Sequence, residues 1–140
     1  MIDKKIFGRI EYHFYNYHQM LHEHRDNERY EDILNASAGP ADGMPRGSGI
    51  SNPTLNKAMR LTQETDTLKW LAVIEELLDH YQDKNKYNLV NLIRLKYFEH
   101  RTLIRTYSEL HCDRRTYYRW REQIVMDAAL KAATKGLVKF

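Results

Sequence analysis

The prolines and glycines of this chain are concentrated in one short segment. Residues 35–53 contain all three prolines and four of the six glycines, so almost none interrupt the sequence on either side. A segment of this composition cannot bury enough apolar surface to offset the entropy lost on ordering, and we predict a flexible linker over residues 35–53. The rest of the chain is therefore free to form long helices.

Before the linker, apolar residues recur mostly at three- and four-residue steps. The pattern predicts one long amphipathic helix over residues 1–34. Its apolar stripe consists of Ile6, Ile10, Phe14, Tyr17, Leu21, Tyr30, Ile33 and Leu34. A single helix cannot form a core by itself, so the stripe needs a partner. Packing against the C-terminal part of the chain and formation of a homo-oligomer through this helix are both open.

After the linker, the sequence predicts a bundle of helices. Ser51, Asn52 and Pro53 resemble a helix start, with a capping side chain and a proline in the first turn. We expect further helices over residues 87–98 and about 102–110, and a last one that Asp113 caps and that ends before Gly136. The helix that starts at Pro53 has an apolar face formed by Leu55, Met59, Leu68, Leu71, Ile74, Leu77, Leu78 and Tyr81. No strand pattern is present, so the predicted fold class is all-α.

The composition restricts what such a helical protein can do. No apolar stretch approaches the roughly 20 residues of a membrane-spanning helix, so we expect no membrane partner and a cytoplasmic location. The only cysteine, Cys112, cannot form an internal disulfide or complete a four-cysteine zinc site. No glycine-rich phosphate loop and no pairing of a nucleophile with a base stand out. We therefore expect no enzymatic activity and no cofactor.

Two clusters of the first helix have alternative interpretations. His13, His18, His22 and His24 could suggest a metal site, but His22-Glu23-His24 lacks the two residues that separate Glu from the second His in metallohydrolase motifs. A solvated polar face without metal is favoured. An aromatic cluster is formed by Tyr12, Phe14, Tyr15 and Tyr17. Because basic residues are not interleaved with these rings in sequence, packing or self-association is favoured over stacking on single-stranded bases.

The charge of the chain is distributed very unevenly. The overall net charge is only +3, but residues 84–140 contain thirteen Lys and Arg against five Asp and Glu, a net charge of +8. Residues 1–83 contain nine against fourteen, a net charge of −5. A basic half of this kind is typical of proteins that bind nucleic acid, and the alternative is an ordinary solvated helical surface.

The spacing of residues in the basic half favours a helix-turn-helix at about 102–134, within a helical DNA-binding domain at 54–140. We predict an interior formed by Leu103, Tyr107, Leu110, Tyr117, Trp120 and Ile124. The side chains expected to reach base edges of double-stranded DNA are Arg114, Arg115, Tyr118, Arg119 and Glu122. The expected phosphate contacts are Arg101, Arg105 and Arg121.

These residues also carry a resemblance to a known family. The run Leu95-Lys96-Tyr97-Phe98-Glu99, followed by Thr102 through Leu110 and by 111–121 with its Thr-Tyr-Tyr-Arg core, resembles the ArpU/RinA-type phage late-gene transcriptional regulators. Their C-terminal part is similar to region 4 of sigma factors. The resemblance implies DNA contact by the last helix and activation of late genes in a bacterial host; contact with RNA polymerase does not follow from these residues.

The chain departs from the family pattern at two positions. Tyr107 stands where a small residue is usual between the two helices, which predicts a wider angle or an outward tyrosine. Cys112 stands where an aliphatic residue is usual, and a buried thiol can act there as a small hydrophobe.

Two other functions are alternatives to a transcriptional regulator. A small-terminase-like DNA packaging protein also combines a helix-turn-helix with helical assembly, and a ring-forming stoichiometry would favour it. A helical adaptor would use the basic face to bind an acidic protein. Absence of duplex DNA binding at low salt would favour the adaptor.

Overall fold

The fold is that of a computed structural model, which describes residues 2–37 and 53–140. Within these ranges the chain forms six α-helices and no strand, so the predicted all-α class is confirmed. The helices are α1 (Lys4–Tyr15), α2 (Tyr17–Ser37), α3 (Pro53–Asp83), α4 (Tyr87–Ile93), which continues into a π-helical segment (Arg94–Phe98), α5 (Leu103–Glu109) and α6 (Arg114–Thr134). Of the predicted linker, residues 38–52 lie outside the described ranges, whereas residues 35–37 end α2 and Pro53 begins α3.

The predicted single N-terminal helix is interrupted at Asn16. Its backbone leaves the helical region (φ −100°, ψ 10°), and its side-chain amide donates a 2.7 Å hydrogen bond to the carbonyl of Tyr12. Asparagine readily bonds to nearby backbone groups in this way, which weakens a helix interior. The chain resumes as α2 at Tyr17.

The apolar stripe of α1 is covered within the same chain. Ile10 and Phe14 are each only 1% exposed and belong to the same hydrophobic core as the C-terminal helices. Helix α1 packs on α6 and on the π-helical segment, while α2 packs on α3. Residues 1–34 and 54–140, which the sequence predicts as an N-terminal helix and a DNA-binding domain, therefore share one hydrophobic core where the structure describes them. The stripe continues only as far as Tyr17 and the half-buried Leu21; Tyr30 and Ile33 are exposed.

Helices α3 and α6 form the centre of the bundle. In α3 the buried face contains Leu71, Ile74, Leu77 and Tyr81, as the spacing predicts, but Leu68 is 43% exposed and Trp70 is buried instead. In α6 the small residues Ala128, Ala129 and Ala132 are fully buried. Small side chains allow the helices to approach closely. Leu55 and Met59 fall outside the described side chains.

Helix α6 ends in a glycine cap, as predicted. Gly136 has a left-handed backbone (φ +75°), its N–H donates to the carbonyl of Ala133, and the N–H of Leu137 donates to that of Ala132. This is the Schellman arrangement, in which glycine is favoured because it has no Cβ. Leu137 and Val138 then return onto the core. None of the described helices has the length and apolarity needed to cross a bilayer.

Candidate nucleic-acid interface

Helices α5 and α6 are joined by a four-residue turn at the position predicted for the helix-turn-helix. Thr102 caps α5 by accepting a 3.3 Å hydrogen bond from the N–H of Arg105. Asp113 caps α6 by accepting a 2.8 Å hydrogen bond from the N–H of Thr116, as the sequence predicts. The hydroxyl and the N–H of Thr116 also lower the pKa of Asp113, so the cap is anionic at neutral pH. An anionic cap stabilises a helix N-terminus.

The six residues predicted to form the interior of this hairpin differ in how deeply they are buried. Tyr117 and Ile124 are buried in the main core. The remaining four residues are only partly buried against that core, namely Leu103, Tyr107, Leu110 and Trp120. The fully buried residue of α5 is Thr106, whose hydroxyl donates a 2.8 Å hydrogen bond to the carbonyl of Thr102. Tyr107, the next residue, is half-buried against the main core.

The five residues predicted to read bases all have exposed side chains. They lie in the first half of α6 and are Arg114, Arg115, Tyr118, Arg119 and Glu122. The Arg114 guanidinium lies over the Tyr118 ring, 5.7 Å from its centroid. Because the opposite face of α6 is in the core, these side chains project from one rigid support.

Arg101 and Arg105 are also exposed, and each has a carboxylate partner. Arg101 lies 3.2 Å from Glu99, and Arg105 lies 3.3 Å from Glu109. The side chain of Arg105 is 61% exposed, and an exposed pair of this kind contributes little to stability. Either arginine can exchange its carboxylate for a phosphate at little cost.

Arg121 is not available as the predicted phosphate contact. It lies four residues after the buried Tyr117 and three before the buried Ile124, so its position faces inward. Its guanidinium donates two hydrogen bonds to the carboxylate of Glu11 in α1 and lies 4.8 Å from the centroid of the Phe7 ring. The sequence prediction placed Arg121 on the DNA-facing surface, whereas in the fold Arg121 points inward and pairs with Glu11.

Glu11 is the centre of a polar network that the sequence analysis missed. Besides Arg121, it accepts a 2.7 Å hydrogen bond from the hydroxyl of the buried Tyr97, and the Lys96 ammonium lies 3.9 Å away. Burial alone raises the pKa of Glu11, but the hydrogen bonds from Arg121 and Tyr97 and the nearby positive charges outweigh burial, so the pKa lies below its usual value. Lys96 in turn donates a 2.9 Å hydrogen bond to the Tyr15 hydroxyl. The network thus joins α1, the π-helical segment and α6.

Two cations lie beside aromatic rings that are distant from them in sequence. The Lys96 ammonium lies 5.5 Å from the centre of the Tyr15 ring, and the Arg9 guanidinium lies 5.7 Å from that of Trp70. The tyrosines of α1 have no Lys or Arg neighbours in sequence, but the fold brings Lys96 to the Tyr15 ring. A sequence signal existed: Glu11 and Arg121 are charged residues at positions adjacent to, or within, an apolar helix face.

The four histidines of the first two helices have different environments. The side chain of His22 is 77% exposed and pairs with Asp26, as expected for a solvated face. His13 differs, because its ring stacks on Trp70 with centroids 3.9 Å apart. Burial, together with the charge of Arg9, lowers the pKa of His13 to about 4. Among the described residues, no group of three His, Cys, Asp or Glu side chains could hold a metal ion.

Comparison with protein-family models, curated proteins and solved structures gives no match for this chain. Its functional assignment therefore depends on the geometry and chemistry of the α5–α6 surface itself.

Proposed function

We propose that this chain binds double-stranded DNA through α5 and α6, with the first half of α6 in the major groove. The proposal rests on the contrast between the buried face and the exposed face of α6. One face is fixed in the core by Tyr117 and Ile124, and the other presents five exposed side chains, three of them arginines. Arginine can contact guanine through two hydrogen bonds, and a rigid support is what such contacts require.

The charges around α6 support duplex DNA as the ligand. Arg101 lies just before α5 and Arg105 lies within it. Each pairs with a surface carboxylate and suits a phosphate contact, which positions a protein without reading sequence. Arg121 is excluded from this set because Glu11 binds it.

In this proposal the chain is a phage- or prophage-type transcriptional regulator that acts in a bacterial cytoplasm by binding and not by catalysis. The support for that narrower role is the likeness of the 95–121 region to the ArpU/RinA-type regulators, which implies activation of late genes. The same proposal includes two further partners to be tested, which are RNA polymerase and a second copy of this chain.

The decisive experiment is selection of binding sites from random duplex DNA with the full-length protein. A recovered sequence motif is the expected result, and the symmetry of that motif reports how many copies bind. If no duplex is retained at low salt, the proposal is refuted and a helical adaptor for an acidic protein is favoured.

A matched pair of arginine variants tests the surface itself. Arg119→Ala should weaken binding to the selected site by about 1–3 kcal/mol and relax the preference at one base position. Arg29→Ala removes the same side chain from an exposed position on α2 and should leave affinity nearly unchanged. Equal losses in both variants would indicate a general effect of net charge and would contradict the assignment of α6.

A further inference from the structure

Within residues 2–37 and 53–140, four helical segments end at a residue with a left-handed backbone. The residues are Asn85 after α3 (φ 58°), His100 after the π-helical segment (φ 53°), His111 after α5 (φ 53°) and Gly136 after α6 (φ 75°). The hydrogen bonds at the end of α5 match those at the end of α6: the N–H of His111 donates to Ser108, and the N–H of Cys112 donates to Tyr107. Both ends are therefore Schellman caps.

Glycine is the favoured residue at this capping position because a Cβ is strained in the left-handed region. Gly136 follows that rule. Where another residue is present, its side chain should have a reason to be there.

Two of the three exceptions have such a reason within the chain. The Asn85 side chain accepts a 3.3 Å hydrogen bond from the Tyr87 hydroxyl. The His100 ring stacks on Tyr15, with centroids 5.6 Å apart and planes 10° apart. His111 is different, because its exposed imidazole has no hydrogen bond, ion pair or ring contact with any residue in the described ranges.

The position of His111 suggests what its side chain contacts. It is exposed and lies in the turn between α5 and α6, three residues before Arg114. We propose that His111 donates a hydrogen bond to a backbone phosphate of bound duplex DNA, beside the base-reading residues of α6. This inference rests on the proposed DNA-binding function and adds to it a residue that the basic side chains alone do not reveal.

The test compares the same substitution at two left-handed positions. His111→Gly should leave the melting temperature unchanged or raised, because glycine removes the Cβ strain, yet it should weaken DNA binding roughly threefold to tenfold. The loss should be similar for the selected site and for an unrelated duplex, as expected of a phosphate contact. Asn85→Gly is the matched control and should leave DNA affinity unchanged.

A second variant keeps the test independent of glycine flexibility. His111→Asn tolerates the left-handed backbone but cannot extend as far, so it should bind DNA as weakly as His111→Gly. Unchanged affinity in both His111 variants, or a loss confined to the selected sequence, would overturn the phosphate contact while leaving the proposed function intact. Failure of the parent protein to bind any duplex would instead refute the proposed function.

Discussion

The contact between Glu11 and Arg121 should be among the most sensitive points of the fold. Glu11→Ala would leave the Arg121 guanidinium without its carboxylate and the buried Tyr97 hydroxyl without an acceptor. The side chains of Glu11 and Arg121 are only 12% and 27% exposed, so water can replace the lost contacts only in part. Breaking a buried ion pair typically costs 3–5 kcal/mol, and an unsatisfied buried hydroxyl adds about 1–3 kcal/mol.

Because Arg121 keeps some contact with water, we expect the free energy of unfolding to fall by about 3–4 kcal/mol. For a chain of this size that corresponds to a melting temperature lower by roughly 10 °C. Thermal unfolding followed by circular dichroism measures the change. Glu76→Ala is the control, since Glu76 pairs with Lys135 at 3.2 Å but is 51% exposed, and this loss should be below about 1 kcal/mol.

The dependence on pH follows from the lowered pKa of Glu11. A carboxyl whose pKa in the folded protein lies below its ordinary value of 4.5 stabilises the fold above that pH. This stabilisation is lost as the pH falls through the lower, folded-state pKa. A melting temperature of Glu11→Ala within 3 °C of the parent at pH 7 would refute the structural role of the network. Additive effects of Glu11→Ala and Arg121→Met in a double-mutant cycle would show that the two side chains do not interact.

Three further predictions follow from the packing. His13 has a pKa of about 4 in the folded protein against an ordinary value of 6.5. As the pH falls, the unfolded chain therefore binds the proton first, and the stability of the fold should decrease between pH 6.5 and 4. His13→Phe should remove this loss when the melting temperature is measured across that pH range. A fragment of residues 51–140 lacks Ile10 and Phe14 and should show reduced helicity and no cooperative unfolding, whereas cooperative unfolding would contradict the shared core. Ile124→Ala should cost about 2–5 kcal/mol in denaturant titrations and Trp120→Ala less, because only Ile124 is fully buried; the reverse order would contradict the packing of α6.

Helical periodicity and caps were the features that the sequence could predict, because both depend on residues close in the chain. Pro53 at the start of α3, Asp113 before α6 and Gly136 after it are where the local chemistry of helix ends requires them. The same local reasoning identified the five exposed side chains of α6, since an apolar face at Tyr117 and Ile124 leaves the opposite face in water.

The tertiary structure decided which chain segment covers each face. From sequence, α1 could pack on another copy or on the C-terminal helices, and only the fold shows Ile10 and Phe14 in the shared core. Local sequence could not show that Arg121 has a carboxylate partner, because Glu11 lies 110 residues earlier in the chain, and the arginine was therefore assigned to a phosphate. Helical periodicity could mark each residue as a charge at or beside an apolar face, but it could not pair the two. A buried charge is tolerated only where a distant residue of opposite charge meets it, and the packing of the helices decides that meeting.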